Sequence, residues 1–174
     1  MRIYLVRHGQ SNYNVLGLLN EIPTQKVFLT ELGIKQAQEA HQKLKMVHFD
    51  KVFVSPLFRT WQTAEIIVPN QIQIIDERLN DVVSGCEGKS LNYFHSLLKN
   101  KLTDKLPGGE SFQDVKKRVK VFLDELLSLK LNTVLIVSHF DTMRAMLVYF
   151  NGLSDEEAFQ TKVNNCQIIE IENK

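Results

Sequence analysis

The stretch Met1-Arg2-Ile3-Tyr4-Leu5-Val6-Arg7-His8-Gly9 sets four apolar residues between two arginines, then places a histidine and a glycine directly after them. The apolar run is too short for a secretory signal and no small-residue cleavage site follows, so it is not read as a leader. A short Ile/Val-containing run without polar alternation predicts a strand buried on both faces, as in a parallel sheet. Similar runs occur at 51–54, 72–76, 133–138 and 167–172, and with 2–6 they make five predicted strands.

Amphipathic stretches separate these runs. Thr30 is placed to cap a helix starting at Glu31, with Leu29 and Ile34 as a hydrophobic staple. Ser111 with Asp114 three residues on resembles a capping box, and Phe112, Val115, Val119, Phe122, Leu126 and Leu129 then step by three and four. A third helix follows His139 through Met143, Met146, Leu147 and Phe150. Alternation of strand and helix predicts a three-layer α/β/α sandwich with a mainly parallel central sheet. No repeat or Ser/Gly-rich linker divides the 174 residues, which are read as a single domain, 1–174.

Composition excludes several classes of protein. With 21 Lys+Arg against 20 Asp+Glu, a net charge of +1 offers no global attraction to nucleic acid or to an anionic membrane. No run approaches the roughly 18 apolar residues of a membrane span. The two cysteines, Cys86 and Cys166, make neither a disulfide framework nor a Cys-x-x-Cys zinc site, so a reducing cytoplasmic location is expected.

In such sheets, ligands sit beyond the carboxyl ends of the strands. Arg7-His8-Gly9 follows the first predicted strand, Ser55-Pro56-Leu57-Phe58-Arg59 the second, and Ser138-His139 closes the fourth. Two arginines and two histidines at one sheet edge would form a cationic pocket suited to phosphate, with guanidinium forks as donors and imidazole as nucleophile or donor. Gly9 would let the backbone approach an anion closely. Singly, Arg7 or Arg59 reads more simply as a surface ion pair, and His8 reads equally well as a satisfied strand-end histidine or as a functional one. His139, closing a wholly apolar run, is costly to bury without a partner. Their joint occurrence at three strand ends favours a site.

Leu5-Val6-Arg7-His8-Gly9-Gln10-Ser11-Asn12-Tyr13-Asn14 closely resembles the signature of the histidine phosphatase superfamily, which includes cofactor-dependent phosphoglycerate mutases. Leu29-Thr30-Glu31-Leu32-Gly33, Ser55 through Ala64, Pro107-Gly108-Gly109-Glu110-Ser111 and Val137-Ser138-His139 follow in the family's order. The resemblance implies a phosphoglycerate mutase-like fold and metal-independent, cofactor-free chemistry through a phosphohistidine on His8. It further implies that Arg7, Asn14, Arg59, His139 and the backbone N–H of Phe140 hold the phosphoryl oxygens, with Asp81 as general acid and base. The sequence departs from the pattern in three ways. Asp81 stands where Glu is common, the turn between Gly85 and Gly88 is one residue short, and Phe140 replaces a frequent glycine. Asp76, Glu77 and Glu87 are rival carboxyl groups, read as solvated turn residues.

The mutases carry a longer basic insertion after the acid, an arginine beside it and a Thr-Gly substrate contact. Here 89–106 contains no arginine, Val82 follows Asp81, and 13–28 has no Thr-Gly. Hydrolysis of a phosphomonoester is therefore preferred to phosphoglycerate mutase-type transfer, with a small phosphorylated metabolite or a phosphoprotein as substrate. A non-catalytic phosphate-binding module is a further alternative, and a metal hydrolase using His8 and His139 is disfavoured because two arginines would repel the cation. Leu18, Leu19, Val82, Val83 and Phe140 are expected to make the outer pocket apolar. His41, His48 and His95 are read as structural or exposed, Trp61 and Met146 as core, and Cys86 as non-nucleophilic.

Overall fold

In the computed structural model, which describes residues 1–25 and 27–173, five strands form one sheet. They are β1 (Arg2–Arg7), β2 (Lys51–Val54), β3 (Gln73–Ile75), β4 (Thr133–Ser138) and β5 (Ile168–Glu172), in the spatial order β3-β2-β4-β1-β5. All neighbours are parallel except β1 and β5, which run antiparallel. β1 and β4, buried between neighbours, are the apolar runs that the sequence predicts. β5 is an edge strand, so it tolerates Glu170 and Glu172. The third strand is shorter than predicted, because Ile72 is exposed and Asp76 turns to accept a hydrogen bond from the backbone N–H of Arg78.

Among the described residues seven α-helices accompany the sheet: α1 (Asn12–Leu16), α2 (Glu31–Leu44), α3 (Phe58–Ile67), α4 (Leu91–Leu97), α5 (Phe112–Ser128), α6 (Phe140–Asn151) and α7 (Asp155–Gln160). Strand parity sorts the core into two halves. Ile3, Leu5, Val134 and Ile136 join Val119, Phe122, Met143 and Met146 of α5 and α6. Tyr4, Val6, Leu135 and Val137 join Ala40, Leu44, Ala64 and Ile67 of α2 and α3. The sheet is thus covered on both faces, which makes three layers.

The predicted caps form at Thr30, whose side chain accepts from Gly33 N, and in the Ser111–Asp114 box. Leu129 was expected on the buried face of α5. It lies past the helix end and is exposed, as is Ile34 of the expected staple. Trp61, expected in the core, is also exposed: it points outward from α3 and packs on Phe58 at 5.2 Å between ring centroids. Met146 is buried as expected.

The loop after β1 rests on the start of α2. A Cβ on Gly33 would lie 2.0 Å from the carbonyl oxygen of Gln10, and one on Gly9 would lie 2.6 Å from that of Gly33. Gly9 therefore lets the backbone meet a helix, whereas the sequence had suggested an approach to an anion. Gly33→Ala is expected to lower the unfolding free energy by about 1–3 kcal/mol, the scale of overpacking. Urea denaturation would measure it, and a loss under about 0.5 kcal/mol would mean that the loop yields freely.

Candidate active site

The pairing register aligns the strand ends that matter. Arg7 pairs with Ser138 across β1 and β4, and Val54 pairs with Val137 across β2 and β4. His8, Ser55 and His139 therefore leave the sheet at one edge, and His8 N donates to Ser138 O at 3.0 Å. The His8 and His139 rings lie 5.1 Å apart between centroids.

His8 is buried, and its Nδ1 lies 2.7 Å from the carbonyl oxygen of Gly9. A carbonyl only accepts, so Nδ1 carries the proton and Nε2 presents a lone pair. Arg59 Nε donates to that lone pair at 3.2 Å. Burial, then the charges of Arg59 and Arg7, hold His8 well below the usual imidazole pKa, which keeps it neutral and nucleophilic.

Arg59 joins the members of the site. Its Nη1 donates to Asn20 Oδ1 at 2.6 Å, and its Nη2 reaches Asp81 Oδ2 and His139 Nδ1, each at 3.3 Å. With Nδ1 accepting, His139 donates from Nε2 to Ser55 Oγ at 2.6 Å. Burial and Arg59 depress the pKa of His139 too. Arg7 donates from Nη1 to Val163 O at 2.7 Å, while its buried Nε has no partner among the described residues. Arg7 also lines the cleft, where guanidinium N–H groups suit a phosphate ligand.

Asp81 sits at the rim, with its side chain 26% exposed and Oδ2 3.6 Å from His139 Nδ1. The backbone around it is held by three long-range bonds. Arg118 Nη2 donates to Asp81 O at 3.0 Å, Thr142 Oγ1 to Asn80 O at 2.6 Å, and Ser138 Oγ to Leu79 O at 2.8 Å. Arg118 is itself clamped by Glu110, which also accepts from Val83 N.

Asn14 lines the cleft with Arg7, Arg59 and Asp81. Its Oδ1 caps α1 by accepting from Ser11 N at 3.0 Å, which leaves Nδ2 as the group able to meet a ligand. Phe140 begins α6 directly after its N-cap, His139, and no side chain caps that end. Its N–H is therefore a free donor at a helix N-terminus. The Phe140 ring is a wall between two cations, 3.8 Å from Arg144 Cζ and 4.9 Å from Arg7 Cζ.

Several residues differ from their sequence reading. Glu87 is no solvated turn residue: its carboxylate accepts from Asn20 Nδ2, Glu21 N and Ile22 N and so holds the segment that grips Arg59. Asp76 is ion-paired with Arg78 at 2.6 Å, whereas Glu77 is exposed as expected. Val83 faces a separate surface groove with Glu110 and Arg118, but Leu18, Leu19, Val82 and Phe140 line the cleft as expected. His95, read as structural or exposed, lies in the cleft wall. His41 bonds to Ile67 O and His48 is exposed. Sequence reading missed Asn20, Arg118, Asp141 and Arg144, since no motif surrounds them. Asp141, paired with Arg144 at 3.0 Å, also lines the cleft. Its pKa is raised, first by burial and then by the charge of Asp81.

Known proteins resemble this chain along almost its whole length. It is 32% identical over 182 residues to putative phosphoserine phosphatase 2 of Hydrogenobacter thermophilus, a match covering 98% of this chain and 88% of that protein. It is 30% identical to a 2,3-bisphosphoglycerate-dependent phosphoglycerate mutase of Thermoplasma acidophilum, over 97% of this chain and 85% of the relative. The crystal structure of the alpha-ribazole phosphatase from Shigella flexneri superposes with a TM-score of 0.88 at 28% identity, covering all of this chain and 91% of that one. The profile of the histidine phosphatase superfamily (branch 1) matches residues 3–174, and the chain belongs to that superfamily.

Proposed function

We propose that this single-domain chain is a cytoplasmic phosphatase that hydrolyses a small phosphomonoester through a phosphohistidine on His8. The observation that carries this reading is the unprotonated Nε2 of His8, next to Arg59 and Arg7 and within one cluster with Asp81. Arg59 donates to the His8 lone pair, so phosphoryl oxygens would take over the Arg59 donors and free Nε2.

Nε2 then attacks phosphorus in line, a P–N bond forms, and the P–O ester bond breaks. The leaving oxygen takes the released electron pair and a proton from Asp81. Arg7, Arg59, the Asn14 amide and the Phe140 N–H stabilise the charge on the non-bridging oxygens. The nearby dianion favours a protonated His139, whose Nδ1 would become a further donor. In the second half, Asp81 accepts a proton from water, water attacks phosphorus, the P–N bond breaks, and His8 and inorganic phosphate are released. Two relatives of nearly full coverage bear phosphatase names, which supports hydrolysis. The absence of arginine from 89–106 argues against a mutase, which must hold a doubly anionic substrate through two transfers.

Asp81 provides the test of this scheme. An alkoxide leaves poorly without a proton, whereas p-nitrophenolate leaves readily. Asp81→Asn is expected to reduce turnover of alkyl phosphates by about 10²-fold or more, but that of p-nitrophenyl phosphate far less, with phosphoenzyme accumulating because water lacks its base. Equal losses on both substrates without accumulation would give Asp81 a structural role. Absence of p-nitrophenyl phosphate turnover in the wild type would favour a binding module, and loss of activity in EDTA would favour a metal hydrolase.

A further inference from the structure

The phosphate cleft, of 170 Å³, opens into a second and larger one of 310 Å³. The two share Val82, Leu91, Phe94, His95, Phe140 and Asp141, so they are continuous. The larger chamber lies away from the reacting groups and is lined by four phenyl rings, those of Phe94, Phe112, Phe140 and Phe159, with Leu91 and Leu98, while Lys101, Asp104, Glu110, Asp141 and Arg144 supply its charged parts. Its volume falls at the lower end of the range of about 300–1,000 Å³ usual for small-molecule sites. Segment 89–106, which contains no arginine, contributes α4 to this wall.

We propose that this chamber receives the leaving group, and that it selects phosphomonoesters of bulky, aromatic alcohols with no second anion near the phosphate. This rests on the reading of the adjoining cleft as the phosphate site. Phenyl rings and leucines reward a flat apolar group in proportion to the area they remove from water. The exclusion of a second anion follows from charge. Arg144 lines the chamber but is held from each of its three nitrogens, donating to Thr161 O, Asp141 Oδ1 and Phe159 O, and its face lies on Phe140. Once a phosphoryl dianion is bound, Arg7 and Arg59 are taken up by its oxygens, and Arg144 is already paired with Asp141. A carboxylate one or two carbons from the phosphate would meet Asp141 at the junction, where Arg144 is already paired. Lys101, which is exposed, lines only the outer chamber. His95, at the junction and without a hydrogen-bond partner among the described residues, is placed to bond a polar atom of the leaving group.

Binding of non-hydrolysable phosphonates to the full chain, followed by calorimetry, tests the proposal independently of turnover. (1-Naphthyl)methylphosphonate is expected to bind at least about 30-fold more tightly than methylphosphonate, a fraction of the full transfer value of two buried rings. Leu98→Trp, which fills the chamber from a half-buried position, should cut that ratio below about fivefold. Leu91→Trp, at a more exposed position, serves as the second variant, and a thermal melt checks that each is folded. Asp141→Asn should tighten 3-phosphonopropionate relative to methylphosphonate by about fivefold or more. A wild-type ratio near one, a ratio unmoved by both tryptophan variants, or no binding of any phosphonate would overturn the chamber assignment. An unchanged 3-phosphonopropionate affinity in Asp141→Asn would overturn the exclusion of a second anion. Failure to turn over p-nitrophenyl phosphate would count against the phosphatase reading alone, since the phosphonate ratio still reports on the chamber.

Discussion

His8→Ala is expected to lower turnover by about 10⁴-fold or more, because in the proposed scheme His8 Nε2 is the atom that takes up the phosphoryl group. No neighbour can take over the role. His139 Nε2 is committed to Ser55, and Cys166, half-buried just before β5, has its thiol pKa pushed up to about 12, first by burial. Rapid quench of the wild type with a labelled substrate should trap an acid-labile, base-stable phosphoenzyme, and His8→Ala should trap none. Label on a serine, or undiminished label in the variant, would reassign the nucleophile. The substitution leaves a cavity beneath Arg59, so a thermal melt must accompany the kinetics. A folded, inactive variant that still binds phosphate would separate loss of chemistry from loss of structure.

Arg59→Ala is expected to lower kcat/KM by about 10²- to 10³-fold, the scale of losing a preorganised donor to a developing charge. Arg59 touches His8, Asn20, Asp81 and His139 at once, so its removal also loosens the acid and the nucleophile. Arg59→Lys should recover only part of the loss, since an ammonium cannot span Asn20 and a phosphoryl group as a planar fork does. Full rescue by lysine would reduce Arg59 to a distant charge. The pH profile supplies a second readout. After burial, the charge of Arg59 is the largest influence holding the His8 pKa down, so removing it should raise that pKa. Activity requires neutral His8, and the acid limb of kcat/KM should therefore move to higher pH in Arg59→Ala. A limb that stays in place would mean that it reports another group.

The layered fold, and the meeting of Arg7, His8, Arg59 and His139 at one sheet edge, were legible in the chain because each belongs to a local pattern. Short apolar runs without alternation mark strands buried on both faces, and the sheet's parallel geometry brings their carboxyl ends to one edge. The caps at Thr30 and Ser111 were legible for the same reason, since a cap needs only residues three apart. Contacts across long separations were not legible. Glu87 holds the Asn20 segment from 67 positions away, and Arg118 holds Asp81 from 37. Nothing local distinguishes such a carboxylate or guanidinium from a solvated one. The same limit hid the outward turn of Trp61, the helix contact that requires Gly9, and the stack of Phe140 on Arg144. Local periodicity states that a side chain leaves a helix or strand, and in which direction relative to its neighbours. Which distant partner meets it depends on how the layers pack, and that packing sets the shape of the leaving-group chamber and the position of the acid.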